Sequence, residues 1–285
     1  MSVKIIQEKL ETYHCVSEQE ESLALKEITQ EIALAALART DFFKYTAFQG
    51  GTCLRILYSL DRFSEDLDFT LQKPDLKFDW TSYLKDLQLE YSAFGFELQV
   101  QDRSSFENPI RKAFLKEDSI GKVLVLQHRP KDRKMKSIKI KFELDVNPPV
   151  GAEFEVKYLD FPFAAAVTTQ NLSSLFAGKS HALLCREYVK GRDWYDFNWY
   201  VARKVIPNYD YLSKACTQQG SWKGENLSIN KAWYLEKMKK KITSLDWKAA
   251  KADVERFLRP SALPNLNLWS KEFFLNRLQK MEEYL

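Results

Sequence analysis

Cysteine and histidine are scarce in this sequence: 285 residues carry four cysteines (Cys15, Cys53, Cys185, Cys216) and three histidines (His14, His128, His181). No two cysteines stand in a C-x-x-C spacing, so a zinc site is not expected and the thiols read as buried and inert. The histidines are too few and too dispersed for an imidazole-based metal centre. Long apolar runs are missing too. None approaches the roughly 20 residues that a membrane-spanning helix needs. The opening segment, Met1-Ser-Val-Lys-Ile-Ile-Gln-Glu-Lys, reads as amphipathic rather than as an apolar signal sequence. The expectation is a soluble, cytoplasmic protein with no membrane partner. There is no repeat of fixed period and no low-complexity tract, which excludes repeat arrays and disordered chains.

What is present suits a globular enzyme. The apolar share is 45%, and the length allows one large domain or two modest ones. The net charge of +4 is unevenly spread. Residues 1–165 hold 23 Lys+Arg against 27 Asp+Glu, and residues 166–285 hold 20 against 12. An acidic half beside a basic half fits metal binding by one and phosphate binding by the other.

Periodicity predicts helices over 1–13 and 18–39, the second opened by Ser17 and Glu20 as a capping box. The aromatic stretch 42–49 reads as a strand or its approach. Gly50-Gly51 breaks the pattern, and 52–60 reads as a short helix. Residues 66–71 alternate as a half-buried strand. A helix follows over 79–91, then strands over 96–101, 121–127 and 137–146. In the last, Ile138, Ile140, Phe142, Leu144 and Val146 share one face, and Lys139, Lys141, Glu143 and Asp145 the other. Pro148-Pro149 ends it. Beyond about residue 165 the pattern is helical, over 173–187, 193–201, 209–217, 229–245, 246–258 and 270–284. The expected fold class is α+β: an α/β lobe over 1–165 and a helical lobe over 166–285.

The chemistry concentrates in Gly50-Gly51-Thr52 and, thirteen residues on, Asp66-Leu67-Asp68. Adjacent glycines permit a tight turn with exposed backbone N–H groups, and amides at a helix N-terminus favour an anion such as a triphosphate. Asp66 and Asp68, two apart on a strand, share a face and offer hard oxygen ligands to Mg²⁺. A phosphate cradle beside a carboxylate pair is what nucleotidyl transfer needs. Strand 137–146 supplies Glu143 and Asp145 as candidates for a third carboxylate. On the helix 173–187, Lys179, Ala182 and Arg186 share a face, and Asp193 and Asp196 could orient the two cations. His181 reads as structural, and the run Lys237-Met-Lys-Lys-Lys241 as a solvated helix face, with an RNA-contacting patch as the alternative. Trp194, Tyr195, Trp199 and Tyr200 are spaced as helix core.

Gly50-Gly51-Thr52-Cys53-Leu54-Arg55 followed by Arg62-Phe63-Ser64-Glu65-Asp66-Leu67-Asp68-Phe69 resembles the AbiEii/AbiGii toxin family, within the DNA polymerase β-like nucleotidyltransferase superfamily. The resemblance extends through Lys139–Pro149, Phe176-Ala-Gly-Lys179-x-His181-Ala182-Leu-Leu-Cys-Arg186, and Gly191-Arg192-Asp193-Trp194-Tyr195-Asp196. These four motifs fall in order across about residues 48–200. The final 85 residues match only in being helical.

The resemblance implies a nucleotidyltransferase-fold mixed sheet and transfer of a nucleoside monophosphate from an NTP to an acceptor hydroxyl, with Mg²⁺ or Mn²⁺. Asp66, Asp68 and Glu143 would act as metal-holding catalytic carboxylates, with Asp145 in reserve; the family's Lys-x-acidic pattern favours Glu143. Lys179 and Asp196 would join them in catalysis. Gly50, Gly51, Thr52, Arg55, Ser64, Lys179, Arg186 and Asp193 would bind the nucleotide. The likeness to toxins of the MenT type implies a tRNA 3′ end as acceptor, a cognate antitoxin protein as partner, and a bacterial toxin–antitoxin or abortive-infection role. The alternatives are a protein-modifying nucleotidyltransferase and a non-catalytic nucleotide-binding module.

Overall fold

A computed structural model describes residues 2–105, 108–117, 124, 126–128 and 138–285. The chain divides into two compact units. Residues 1–59, 63–148 and 156–169 form the first; 60–62, 149–155 and 170–285 form the second. The short pieces 60–62 and 149–155 therefore group with the helices, and 166–169 with the sheet.

The first unit opens with helices α1 (Ser2–Glu11) and α2 (Glu18–Ala38). Ser17 caps α2 by accepting from the Glu20 N–H, while the Glu20 carboxylate accepts from the Val16 N–H at 2.7 Å. The two reciprocal bonds satisfy N–H groups that a helix start leaves orphaned. From Glu27 to Leu37 every residue of α2 is buried, so it is a central helix, packed against α1, the short helix α3 (Phe42–Tyr45), helix α5 (Thr81–Ala93) and strand β5 (Ile138–Asp145).

Between α3 and α5 lie β1 (Thr46–Gln49), α4 (Gly50–Tyr58) and β2 (Leu67–Leu71). The remaining strands are β3 (Leu98–Asp102), β4 (Ile110–Glu117), β6 (Phe154–Leu159) and β7 (Ala165–Gln170). They join one mixed sheet in the order β3-β4-β5-β2-β1-β7-β6. β2 runs parallel to β5 and antiparallel to β1.

The middle of the sheet is pinned by aromatic packing. Phe69 of β2 lies 4.8 Å from Phe142 of β5 and 5.2 Å from Phe48 of β1, centroid to centroid, and Phe42 closes on Phe69 at 5.2 Å. Each buried phenylalanine contributes about 1.5–3 kcal/mol. A slip of one residue would turn this face to water, so the register is firmly set. The opposite face carries Asp68 and Glu143.

The second unit is helical: α6 (Leu172–Cys185), α7 (Gly191–Ala202), α8 (Tyr209–Gln218), α9 (Lys231–Ser244), α10 (Trp247–Glu255), a 3₁₀ segment (Pro260–Leu268) and α11 (Lys271–Glu282). Asn171, Asn208, Asn230, Asp246 and Ser270 each cap the helix that follows through a side-chain oxygen. Trp194, Trp199 and Tyr200 are buried, as core residues should be. Trp247 stacks on Phe274 at 4.2 Å and Phe176 on Tyr200 at 4.3 Å.

Two features depart from the sequence expectation. The stretch 42–49 starts as one helical turn, closed by the Thr46 hydroxyl donating to the Phe42 carbonyl, before it becomes a strand. Strands β4, β6 and β7 have no counterpart in it, and β7 carries strand structure past residue 165. β7 reads Ala-Ala-Val-Thr-Thr-Gln, too small and mixed for clear period-two contrast. The strand expected over 121–127 falls mostly outside the described residues. Among the described residues, no helix is long and apolar enough to cross a membrane.

Candidate functional site

α4 begins at the glycine pair itself, earlier than the sequence suggests. Gly50 has φ +80°, the left-handed region where a Cβ is penalised. Space demands glycine as well, since a Cβ there would sit 2.6 Å from the Asp68 Oδ2. The first turn of α4 is thus pressed directly against the Asp68 carboxylate. Gln49 is paired with Asp68 across β1 and β2, so the strand ladder delivers the glycine turn to that position. Gly50 and Gly51 are half-buried. Thr52 is buried, and its hydroxyl donates to the backbone carbonyl of Asp66. That bond ties α4 to the start of β2 and engages the Thr52 hydroxyl proton.

Asp66 immediately precedes β2 and Asp68 lies within it; both are half-buried. On the neighbouring parallel strand Glu143 is the register partner of Asp68, and Asp145 is the partner of Thr70. Glu143 therefore stands beside the aspartate pair, and Asp145 one pleat further along. Burial raises the pKa of Asp145, and the Asn147 N–H donates to its carboxylate.

Two lysines complete this face. Lys141 Nζ lies 2.7 Å from Glu143 Oε2, and Lys112 Nζ lies 3.5 Å from Glu143 Oε1. Burial works to lower the Lys141 pKa, but the hydrogen bond to Glu143 and the fields of Glu143, Asp66 and Asp68 outweigh it and raise it. An ammonium group thus serves as counter-charge to the carboxylates of this face. By donor chemistry, carboxylate oxygens suit a hard divalent cation of the magnesium class, but among the described residues Asp66, Asp68 and Glu143 do not close into a three-carboxylate group around one point.

α2 supports the site from behind. Arg55 of α4 donates from Nε to Glu27 Oε2 at 2.8 Å and stacks on the Phe63 ring at 4.6 Å. Lys26 pairs with Glu65 at 3.3 Å, and Gln30 donates to the Ser64 carbonyl at 3.5 Å. Arg55 and Ser64 are both held by contacts within this unit.

In the helical unit, Lys179, Arg186, Asp193 and Asp196 come together, joined by Arg62. Arg62 makes a two-pronged pair with Asp196, both bonds at 2.7 Å, and both residues are buried. Lys179 Nζ reaches Asp193 at 2.7 Å and Asp196 at 2.8 Å, and Arg186 pairs with Asp193. Burial works to raise the Asp193 pKa, yet Lys179, Arg186 and Lys190 bring it below the ordinary carboxylate value. Burial is also the main cause that lowers the Lys190 pKa. Three cations share two carboxylates, so the cluster keeps a positive charge, with Arg186 its most exposed member.

Sequence reasoning gave no role to Arg62, Lys112 or Lys190. Arg62 lies far in sequence from Asp196, and only the fold reveals the pair.

The sequence model of the family described as nucleotidyl transferase AbiEii toxin, type IV TA system, matches residues 32–277. The match runs well past residue 200, over most of the helical region. No protein of curated function matches the chain. Among solved structures, the nucleotidyltransferase toxin MenT4 of Mycobacterium tuberculosis is similar, with a TM-score of 0.59 and 15% identity, over 99% of this chain and 89% of that one. JHP933 of Helicobacter pylori is similar with a TM-score of 0.53 and 18% identity, over 94% and 92%. At such identities the structures speak for the fold, and the family match for the enzyme class. The chain belongs to the AbiEii nucleotidyltransferase toxin family.

Proposed function

We propose that this chain transfers a nucleoside monophosphate from an NTP to the 3′ hydroxyl of an RNA acceptor, with tRNA as the substrate class, and that it is the toxin of a type IV pair with a cognate antitoxin. The observation that carries the transfer chemistry is the register of β2 and β5. It sets Glu143 beside Asp68 while the Gly50 turn abuts the Asp68 carboxylate. In the reaction the acceptor oxygen bonds to the α-phosphorus, the bond to the β-phosphate bridge breaks, and pyrophosphate leaves. Asp66, Asp68 and Glu143 would hold Mg²⁺ or Mn²⁺, with Asp145 in reserve. The ion, when bound, offsets triphosphate charge and makes the attacking hydroxyl more acidic. The backbone N–H groups of Gly50, Gly51 and Thr52 orient the phosphates. Lys141 supplies a positive charge beside the same carboxylates.

Lys179 and Arg186 are assigned to nucleotide neutralisation, with Asp193 and Asp196 holding them in position. Support comes from the net positive charge of that cluster. An RNA acceptor is supported by the excess of 20 Lys+Arg over 12 Asp+Glu in residues 166–285, and by exposed Lys239 and Lys240 on α9. A binding-only module would have no need of the carboxylate face.

The test is incubation of the chain with each α-³²P-labelled NTP, total RNA and total protein. Label in a tRNA-sized band, absent with Asp66→Ala, is expected. Label in protein alone would replace the RNA acceptor with a side-chain hydroxyl. No label in either polymer would overturn transfer.

A further inference from the structure

Helices α6 and α8 pack on one another within the helical unit. His181 and Cys185 are one turn apart on α6 and so share a face, and Cys216 comes from α8. A ring nitrogen of His181 and the sulfurs of Cys185 and Cys216 all lie within 4.8 Å of one another. The two thiols hydrogen-bond each other. His181 Nε2 is 2.8 Å from the carbonyl oxygen of Gln219, which fixes the ring. Gly220, at φ +106°, brings its backbone against the group: a Cβ there would lie 2.6 Å from the Cys185 sulfur. Cys216 is buried, while His181 and Cys185 are half-buried, so the group is formed inside the unit yet reachable from water. Nothing in the transfer chemistry uses these three side chains.

We propose that His181, Cys185 and Cys216 form a three-ligand site for a borderline-soft divalent cation of the zinc class, with water in the fourth position. Tetrahedral zinc, with Zn–S near 2.3 Å and Zn–N near 2.0–2.1 Å, separates two sulfurs by about 3.8 Å and sulfur from nitrogen by about 3.5 Å. From within 4.8 Å, the group therefore needs a closure of at most about 1.0 Å between the sulfurs and about 1.3 Å between sulfur and nitrogen. Thiolate and imidazole donors select zinc over magnesium, whereas the Asp66, Asp68 and Glu143 oxygens have the opposite preference. The two centres thus sort their metals by chemistry. Binding joins α6 to α8 and displaces the thiol protons to solvent.

The test uses the full chain, purified under reductant, titrated with Co²⁺ and then Zn²⁺ and competed with a chromophoric chelator. One ion per chain is expected, with a near-ultraviolet thiolate-to-cobalt absorption band that Zn²⁺ abolishes. The Asp66→Ala/Asp68→Ala double variant should keep both the band and the stoichiometry, which separates this site from the carboxylate centre. Cys185→Ser, Cys216→Ser and His181→Asn should each weaken Zn²⁺ binding at least tenfold, and Cys15→Ser should leave it unchanged. The wild-type cobalt spectrum needs no variant to fold. Absence of the thiolate band would overturn the proposal. So would zinc affinity indifferent to both cysteine changes, or a Cys185–Cys216 disulfide that forms in air and persists in the presence of zinc.

Discussion

At the scale of single residues, the carboxylates on β2 and β5 make the most direct predictions. Asp66→Ala or Asp68→Ala should reduce transfer at least a hundredfold, since a lost metal carboxylate removes several kcal/mol of charge stabilisation. Far-UV circular dichroism should be unchanged; retained turnover in the double variant would remove the pair from catalysis. Glu143→Gln should cost more activity than Asp145→Asn, because Glu143 is in register with Asp68 and Asp145 with Thr70. Single-turnover rates of the two variants decide this, and the reverse order would move the third ligand to Asp145. Glu31 gives a pH prediction. Burial pushes its carboxyl up to about 7, against the opposing pull of Lys9. The folded chain therefore keeps a proton that the unfolded chain has lost between about pH 4.5 and 7. The resulting stability is full below that window and disappears as pH rises through about 7. Glu31→Gln should remove up to about 3 kcal/mol of the fall in unfolding free energy between pH 5 and 8. Equal slopes in urea titrations of wild type and variant would refute it.

At the scale of elements, what the sequence revealed was local. The eight residues of β5 alternate without a fault, and Ser17 and Glu20 announce the start of α2, so both were readable from period and cap. Asp66 and Asp68 stand two apart in the sequence, with Asp68 within β2 and Asp66 immediately before it. The register of β2 against β5 could not be read, because nothing near residue 68 specifies which residue some seventy positions on will lie beside it. The same holds for Arg62 and Asp196, and for Cys185 and Cys216, whose pairing depends on helix packing. The resemblance makes Lys179 a nucleotide ligand, and the fold partly buries it between two aspartates. Lys179→Ala should therefore lower the melting temperature as well as nucleotide affinity, because it leaves buried Asp193 and Asp196 less compensated. Arg186→Ala, at a more exposed position, should weaken nucleotide binding with a smaller thermal cost. Calorimetric Kd and melting curves on both variants check this; unchanged Kd in both would take the cluster out of nucleotide binding.

At the scale of the whole molecule, the two units interleave along the chain, and no single cut separates them. A fragment ending at residue 165 would lack β7, the strand beside β1, and would leave Arg62 without Asp196. Arg62, buried in the intact chain, would lose its two-pronged pair with Asp196. The 1–165 fragment should fail to give a cooperative melting transition, whereas the full chain should give one. A sharp transition for the fragment would show that the sheet folds without these two supports.

The close approach of Gly50 to Asp68 also has a genetic consequence. Every change to the first or second base of a glycine codon installs another residue or a stop, and at position 50 any side chain begins with an atom that collides with a carboxylate oxygen. Under the toxin role proposed above, a population selected for surviving expression of this chain should accumulate alleles at this codon. The codon for Gly178 is the natural control, since a Cβ there meets nothing within 4 Å, and alleles such as alanine should pass through the same selection unenriched.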